Sequence, residues 1–310
     1  MKIVFFGSDA FSIKALEACL HTSGMELSLV VTTPAKKKGR GLKLEPSEVY
    51  DYCRTKGLPV TEYPTLRDPK VAQELITLRP DLFVVASYGK LIPTNLLDIP
   101  KYRLNVHPSL LPKYRGSAPI HWPILNGDKE TGVSILDIAE KLDSGDIYYQ
   151  EQIALDLRAN AATLTSELAR FSYGVLKKVL VQVLNGQLRG TPQIESEATL
   201  APQLSKKDGE LSFLTMTAEA IDRKVRGLQP WPGAYCFLKG ERLAILETQL
   251  PELDTKEKPG TIVSLCREKG LVVATVKGCL GILRVKPEGK KEMSATDFAN
   301  GRRLQPGFIL

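Results

Sequence analysis

Histidine is scarce in this 310-residue chain: only His21, His107 and His121 occur, too few for a histidine-rich metal centre. Cysteine is little commoner. Cys19, Cys53, Cys236, Cys266 and Cys279 are odd in number and scattered, and no C-x-x-C pair is present. That pattern argues against a disulfide framework or a structural zinc site and for reduced thiols in cytoplasm. No apolar run approaches the roughly 18 residues that a membrane-spanning helix needs. The opening Met1-Lys2 leads through four apolar residues into Gly7-Ser8-Asp9, too short for the hydrophobic core of a signal peptide. Glycine is also missing where cofactor motifs need it. The turn Gly7-Ser8-Asp9-Ala10-Phe11 has one glycine instead of G-x-G-x-x-G, which argues against a nicotinamide cofactor, and Gly89-Lys90 lacks the preceding glycine of a P-loop.

What is present is the composition of a globular protein, 43% hydrophobic and 25% charged, on a chain long enough for a catalytic domain plus a smaller one. The formal net charge of +7 permits an anionic partner. Its distribution is uneven, because residues 204–310 carry 18 Lys and Arg against 13 Asp and Glu, most of the surplus.

Short apolar runs alternate with helical patterns over the first 150 residues. Strands are expected at 3–7, 27–33, 59–62, 81–87, 103–106 and 132–138, and helices at 10–20, 46–56 and 68–78. The 81–87 run is almost continuously apolar, as in a strand buried on both faces of a parallel sheet. This alternation predicts an α/β fold, a doubly wound, mostly parallel sheet with right-handed crossovers. A long amphipathic helix is expected over 163–184, stopped by Asn185-Gly186. The polar stretch 187–207, with Pro192 and Pro202, reads as a linker. After a short helix at 218–227 come five short runs at 234–238, 242–248, 260–265, 271–276 and 281–286, spaced as in a small β-barrel. The expected division is a catalytic domain at 1–188, a linker at 189–207 and a C-terminal domain at 208–310.

Substrates of open α/β sheets bind outside the carboxyl ends of the strands. Asn105 and His107 fall there, two apart on an extended segment, and so point the same way. An amide and an imidazole converging on one carbonyl can stabilise the oxyanion of a tetrahedral intermediate. Asp143, in Leu142-Asp143-Ser144-Gly145-Asp146-Ile147, is a carboxylate that could raise the basicity of His107 and take up a proton, or an ordinary turn residue. Spacing alone does not choose between these roles.

Taken together, Asn105–Pro112, Tyr114-Arg115-Gly116, Pro119-Ile120 and Leu142–Ile147 resemble the 10-formyltetrahydrofolate-dependent formyltransferase family, over the first two-thirds of the chain. The resemblance implies that Asn105, His107 and Asp143 form the catalytic set. It also implies that Ser109, Leu110, Leu111 and Pro112 contact the folate, and that the segment with Tyr88, Gly89 and Ile92 lines its pterin pocket. It calls for no metal.

Members of the family formylate a purine precursor, a sugar nucleotide or an aminoacylated tRNA. Residues 224–235, Lys-Val-Arg-Gly-Leu-Gln-Pro-Trp-Pro-Gly-Ala-Tyr, resemble the start of the OB-like C-terminal domain of the branch that acts on initiator methionyl-tRNA. The loop at 34–43 resembles that branch's insertion at the tRNA acceptor end. It holds Lys36, Lys37, Lys38, Arg40 and Lys43 with no acidic residue, and Gly39 and Gly41 allow close backbone approach. Such a loop can neutralise phosphates and stack an arginine on an unpaired base. Arg40 and Lys43 are the preferred tRNA contacts, Lys38 a weaker one, and Lys206 and Lys207 join Arg223, Arg226, Arg302 and Arg303 as candidates on a basic C-terminal face. Trp231 is expected to be a packing anchor, and His21 and His121 structural. The resemblance further implies a cytoplasmic monomer. Two alternatives stay open: a formyltransferase of the same fold acting on a small amine or nucleotide sugar, and a noncatalytic RNA-binding protein.

Overall fold

In the computed structural model, which describes residues 1–38 and 43–310, the first strand is nearly all apolar and buried after its exposed first residue, Lys2. β1 (Lys2–Gly7) ends at a turn where Asp9 caps α1 (Ala10–Leu20) by accepting from the Ser12 N–H at 3.1 Å. β2 (Glu26–Thr32) follows. The short strands β3 (Lys36–Lys38) and β4 (Lys43–Glu45) pair antiparallel, and α2 (Glu48–Lys56) starts at Ser47 and stops at Gly57 in the left-handed conformation. Next come β5 (Val60–Glu62), α3 (Pro69–Leu78, with proline at its start), β6 (Leu82–Ala86), α4 (Thr94–Leu97) and β7 (Tyr102–His107). α5 (His121–Asn126), β8 (Glu130–Leu136), β9 (Ile147–Ala154) and α6 (Ala161–Leu184) complete the first half.

The main sheet has the order β5-β2-β1-β6-β7-β8-β9. Its first five strands are parallel and the last two antiparallel. Winding proceeds outward from β1 to β2 and β5 on one side and through β6 and β7 on the other. A crevice therefore opens at the carboxyl ends of β1 and β6, as the doubly wound expectation requires. Val4, Phe6, Val31, Phe83, Leu75 and Leu96 form part of a buried cluster against the sheet. β9 was not expected: its residues alternate between half-buried and exposed with no apolar run, the pattern of an edge strand.

A second compact unit comprises Ile120–Lys129, Leu155–Thr163 and Gln203–Leu310. Its elements are α5, α7 (Ala218–Gly227), β10 (Ala234–Leu238), β11 (Glu241–Gln249), β12 (Ile262–Cys266), β13 (Gly270–Ala274), β14 (Cys279–Pro287), β15 (Met293–Ser294) and α8 (Ala295–Gly301). The strands form one antiparallel sheet, β10-β11-β14-β13-β12, with β15 on β14. Ile221 and Val225 of α7 pack with Ile245, Leu280, Ile282 and Phe298 into the core. Asp222, on the same face, is 2% exposed. Its carboxylate accepts from Arg226 Nε and Thr248 Oγ1, both at 2.8 Å, while Arg226 Nη1 reaches the Ala159 carbonyl. Removing one member of such a buried pair strands the other. Asp222→Ala is accordingly expected to destabilise this unit by about 3–5 kcal/mol, read as a lowered midpoint of its denaturant transition.

The polar stretch expected to be a linker is instead bound along the first unit, which runs as far as Pro202. Thr191 exchanges two backbone hydrogen bonds of 2.9 Å with Ile147, Arg115 N donates to Thr199 O at 2.9 Å, and Ala201 N donates to Arg115 O at 2.7 Å. These partners are irregularly spaced backbone groups, so no periodicity marks the segment. Trp231, expected to be an anchor, is 50% exposed.

Candidate active site

β7 delivers Asn105 and His107 from one face at the carboxyl end of the sheet. Asn105 lies opposite Val85 of β6 and Leu136 of β8, and His107 opposite Ser134 of β8. Asp143 arrives on the loop between β8 and β9, closed by the Asp137 N–H donating to Asp146 O at 2.9 Å. The glycine of that loop is obligatory. A Cβ on Gly145 would fall 2.0 Å from the Asp137 carbonyl oxygen.

The three side chains meet at one carboxylate. Asp143 Oδ1 accepts from Asn105 Nδ2 at 3.0 Å, and Oδ2 accepts from the Gly116 backbone N–H at 2.9 Å. His107 Nδ1 stands 3.6 Å from Oδ2. His107 Nε2 is 2.9 Å from the Tyr114 carbonyl oxygen, which can only accept, so Nε2 carries a hydrogen. At 3.6 Å the Nδ1 contact is too long for a hydrogen bond. Nδ1 is therefore the ring nitrogen with bonding capacity to spare. His107 and the Asp143 side chain are both nearly fully buried, where a fixed charge or dipole acts more strongly than in water.

The loop after β7 is braced by Ser134 and Gln150, which no motif or spacing marks. Ser134 Oγ donates to Ser109 O at 2.6 Å and accepts from Leu111 N at 3.1 Å. Gln150 Nε2 of β9 donates to both Leu111 O and Ser134 Oγ. Ser109 is wholly buried with its hydroxyl given to Lys113 O, and Leu111 is 3% exposed. These two expected folate contacts shape the loop, while Leu110 and Pro112 keep some exposure. After β6 the side chains are likewise turned inward. The Tyr88 ring is buried edge-on against Phe6, its hydroxyl is pushed up to about 12 by burial, and Ile92 lies in the same cluster. That segment offers a ligand the exposed backbone at Gly89 and the exposed Leu91 side chain.

At the first turn, Ser8 Oγ donates to Tyr88 O, and burial raises the Asp9 carboxyl pKa despite two bonds from Ser12. Lys90 Nζ donates to the carbonyls of Tyr63 and Pro64; burial and nearby Lys36 lower its pKa. Among the expected tRNA contacts, Lys43 is exposed on β4, and Lys206 and Lys207 are exposed in a 3-10 turn, Lys206–Gly209. Arg40 and the Lys38 side chain lie outside the described residues. Arg226 is committed to Asp222 and Arg302 is paired with Glu241. Among the described residues, no group of three or more His, Cys, Asp or Glu is placed to hold a metal ion, and no helix is long and apolar enough to cross a membrane.

Known proteins are similar along the whole chain. Residues 1–180 match the family model described as formyl transferase, and residues 203–303 match its C-terminal domain. The chain is 40% identical to the methionyl-tRNA formyltransferase of Thermodesulfovibrio yellowstonii, covering 99% of this chain and 97% of that protein. It is 41% identical to the methionyl-tRNA formyltransferase of Thermus thermophilus, covering 100% and 99%. A solved N-formyltransferase from Helicobacter canadensis, in complex with folinic acid and dTDP-3-aminofucose, has the same fold: TM-score 0.67 at 18% identity, over 91% of this chain and 98% of that one. With both family models matched in order and relatives above 35% identity from end to end, the chain belongs to the formyl transferase family.

Proposed function

We propose that the chain transfers the formyl group of 10-formyltetrahydrofolate to the free α-amino group of methionyl-initiator tRNA, giving N-formylmethionyl-tRNA, the aminoacyl-tRNA that starts translation. The observation that carries this is the closed cluster of Asn105, His107 and Asp143 in a chain similar from end to end to methionyl-tRNA formyltransferases.

The chemistry needs donors where negative charge develops and an acceptor for the amine proton. Asn105 keeps one amide hydrogen after its bond to Asp143, and His107 Nδ1, in the protonated ring, supplies a second donor. As the amine attacks the formyl carbon, the carbonyl π pair moves onto oxygen and these donors hold it. Asp143 takes the proton that the amine loses, directly or through a water. Collapse of the intermediate re-forms the carbonyl and breaks the bond to N10 of the donor, which leaves with the proton that Asp143 took up. The exposed backbone at Gly89, the exposed Leu91 and the partly exposed Leu110 and Pro112 provide polar and apolar surface for a flat pterin.

For the acceptor, the paired strands β3 and β4 present Lys36, Lys37 and Lys43 as exposed cations, and Arg40 falls between them in the sequence. Each phosphate they neutralise adds about −0.9 to the slope of log affinity against log salt on a duplex arm. The test is formyl transfer from 10-formyltetrahydrofolate to methionyl-tRNA. His107→Ala is expected to lower kcat by at least ~100-fold, and Arg40→Ala to lower kcat/KM roughly tenfold, as loss of one charge-assisted contact does. Formylation of a small amine or nucleotide sugar with none of the tRNA would refute the acceptor, and tRNA binding without any transfer would refute the enzyme.

A further inference from the structure

We infer that Gln193, on the segment after α6, is a positioning residue that holds Asp143 in its reactive place; this rests on the catalytic role proposed above for Asp143. Asp143 has φ +51°, a left-handed conformation that aspartate tolerates but does not hold by itself. Gln193 fixes it from the side. Its Nε2 donates to Asp143 O at 2.8 Å and to Gly145 O at 2.7 Å, so both amide hydrogens are spent on the two sides of one turn. Its Oε1 accepts from Arg115 Nε at 3.0 Å and Nη2 at 2.9 Å. The amide cannot be reversed, because its oxygen would then face two carbonyls and its NH2 two guanidinium donors.

Arg115 makes this more than a local brace. It is 6% exposed, and its remaining Nη1 meets the exposed Glu195 carboxylate. Its chain neighbours are the two residues whose backbones touch the reacting groups: Tyr114 O receives His107 Nε2, and Gly116 N–H donates to Asp143 Oδ2. One amide side chain thus joins the turn that carries Asp143 to the turn that holds both His107 and Asp143. Thr191, two residues earlier, is fixed by its paired backbone bonds to Ile147, which sets where Gln193 enters. Gln193 has no bond to Asn105, His107 or the Asp143 carboxylate itself, so it acts through backbone placement.

A displacement of about 1 Å at a reacting group can cost on the order of 100-fold in rate. With both substrates saturating, Gln193→Leu is expected to lower kcat to that extent while each KM changes by less than about threefold. Gln193→Glu keeps an acceptor for Arg115 but has no donor for the turn, and is expected to be as impaired. Should Gln193→Leu fail to fold, Gln193→Met, also unbranched at Cβ and without donors, reads the same quantity. A second readout is independent of turnover. The chain has three histidines, so imidazole 15N signals can be assigned by comparison with His107→Ala. The His107 signals are expected to move in both Gln193 variants while those of His21 and His121 stay. Wild-type kcat, a loss expressed equally in KM, or unmoved His107 signals would each overturn the positioning role. Asp143→Asn, measured alongside, separates the two assignments. If it stays fully active, the catalytic role of Asp143 is wrong; if it is inactive while Gln193→Leu is unimpaired, only the role of Gln193 is wrong.

Discussion

Asp143→Asn is expected to lower kcat for formyl transfer by roughly 1,000-fold, within the range for loss of a general base, with little change in the unfolding midpoint. Asparagine tolerates the left-handed backbone that Asp143 adopts, so the turn itself is not strained by the change. The carboxylate, however, accepts on both oxygens, from Asn105 Nδ2 on one and from the Gly116 N–H on the other. A carboxamide has a single oxygen, which can keep the Gly116 N–H while its NH2 meets Asn105, whose amide then turns over to accept. The substitution therefore removes the proposed proton acceptor and reorients Asn105 without disturbing the fold. Single-turnover transfer with saturating enzyme is the clean measurement, because it isolates the chemical step from product release. Rates close to wild type would mean that Asp143 is only a turn residue.

Gly116→Ala should be nearly as damaging, by a different route: a loss on the order of 100-fold in kcat together with about 2–4 kcal/mol of stability in the first unit. Gly116 has φ +128°, a backbone conformation outside the region that even asparagine adopts readily. There is also no room, since a Cβ would fall 2.6 Å from the Ala201 carbonyl oxygen and 3.2 Å from its carbon. Relief requires the 114–118 turn and the 199–201 stretch to separate. That separation would weaken the Ala118 N to Ala201 O bond and the Ala201 N to Arg115 O bond, and would draw the Gly116 N–H away from Asp143. Kinetics and denaturant unfolding on the same preparation test both parts. An alanine variant with wild-type rate and midpoint would show that the turn relaxes freely.

The parallel sheet was legible in the sequence because its strands are short, apolar and buried and alternate with helical patterns. Asn105 and His107 were legible as a pair because a spacing of two on a strand fixes a common face. Asp143 could be suspected but not placed, since its approach depends on a loop closed by a backbone bond between Asp137 and Asp146. The remainder of the site left no local trace. Gln150 lies on an edge strand with no apolar run, and Ser134 is a single hydroxyl inside an apolar strand. Gln193 sits in a polar stretch whose partners, Asp143, Gly145 and Arg115, are distant in sequence and irregularly spaced. For Ser109, Tyr88 and Ile92 the resemblance named ligand contacts without saying which atoms would make them; their side chains are buried, which leaves the backbone of these segments to face a ligand.

The attachment of residues 191–201 to the reacting turns also bears on the order in which the chain is made. All seven strands of the main sheet have been synthesised by Ala154. Asn105, His107 and Asp143 are present by then as well, yet Gln193, Thr199 and Ala201 emerge only after α6 has been completed. A nascent chain interrupted at residue 188 would carry all three residues proposed to react and lack the partners that set their turns. Competence would come late, after the sheet is assembled, so that prematurely released fragments could be folded and still inert.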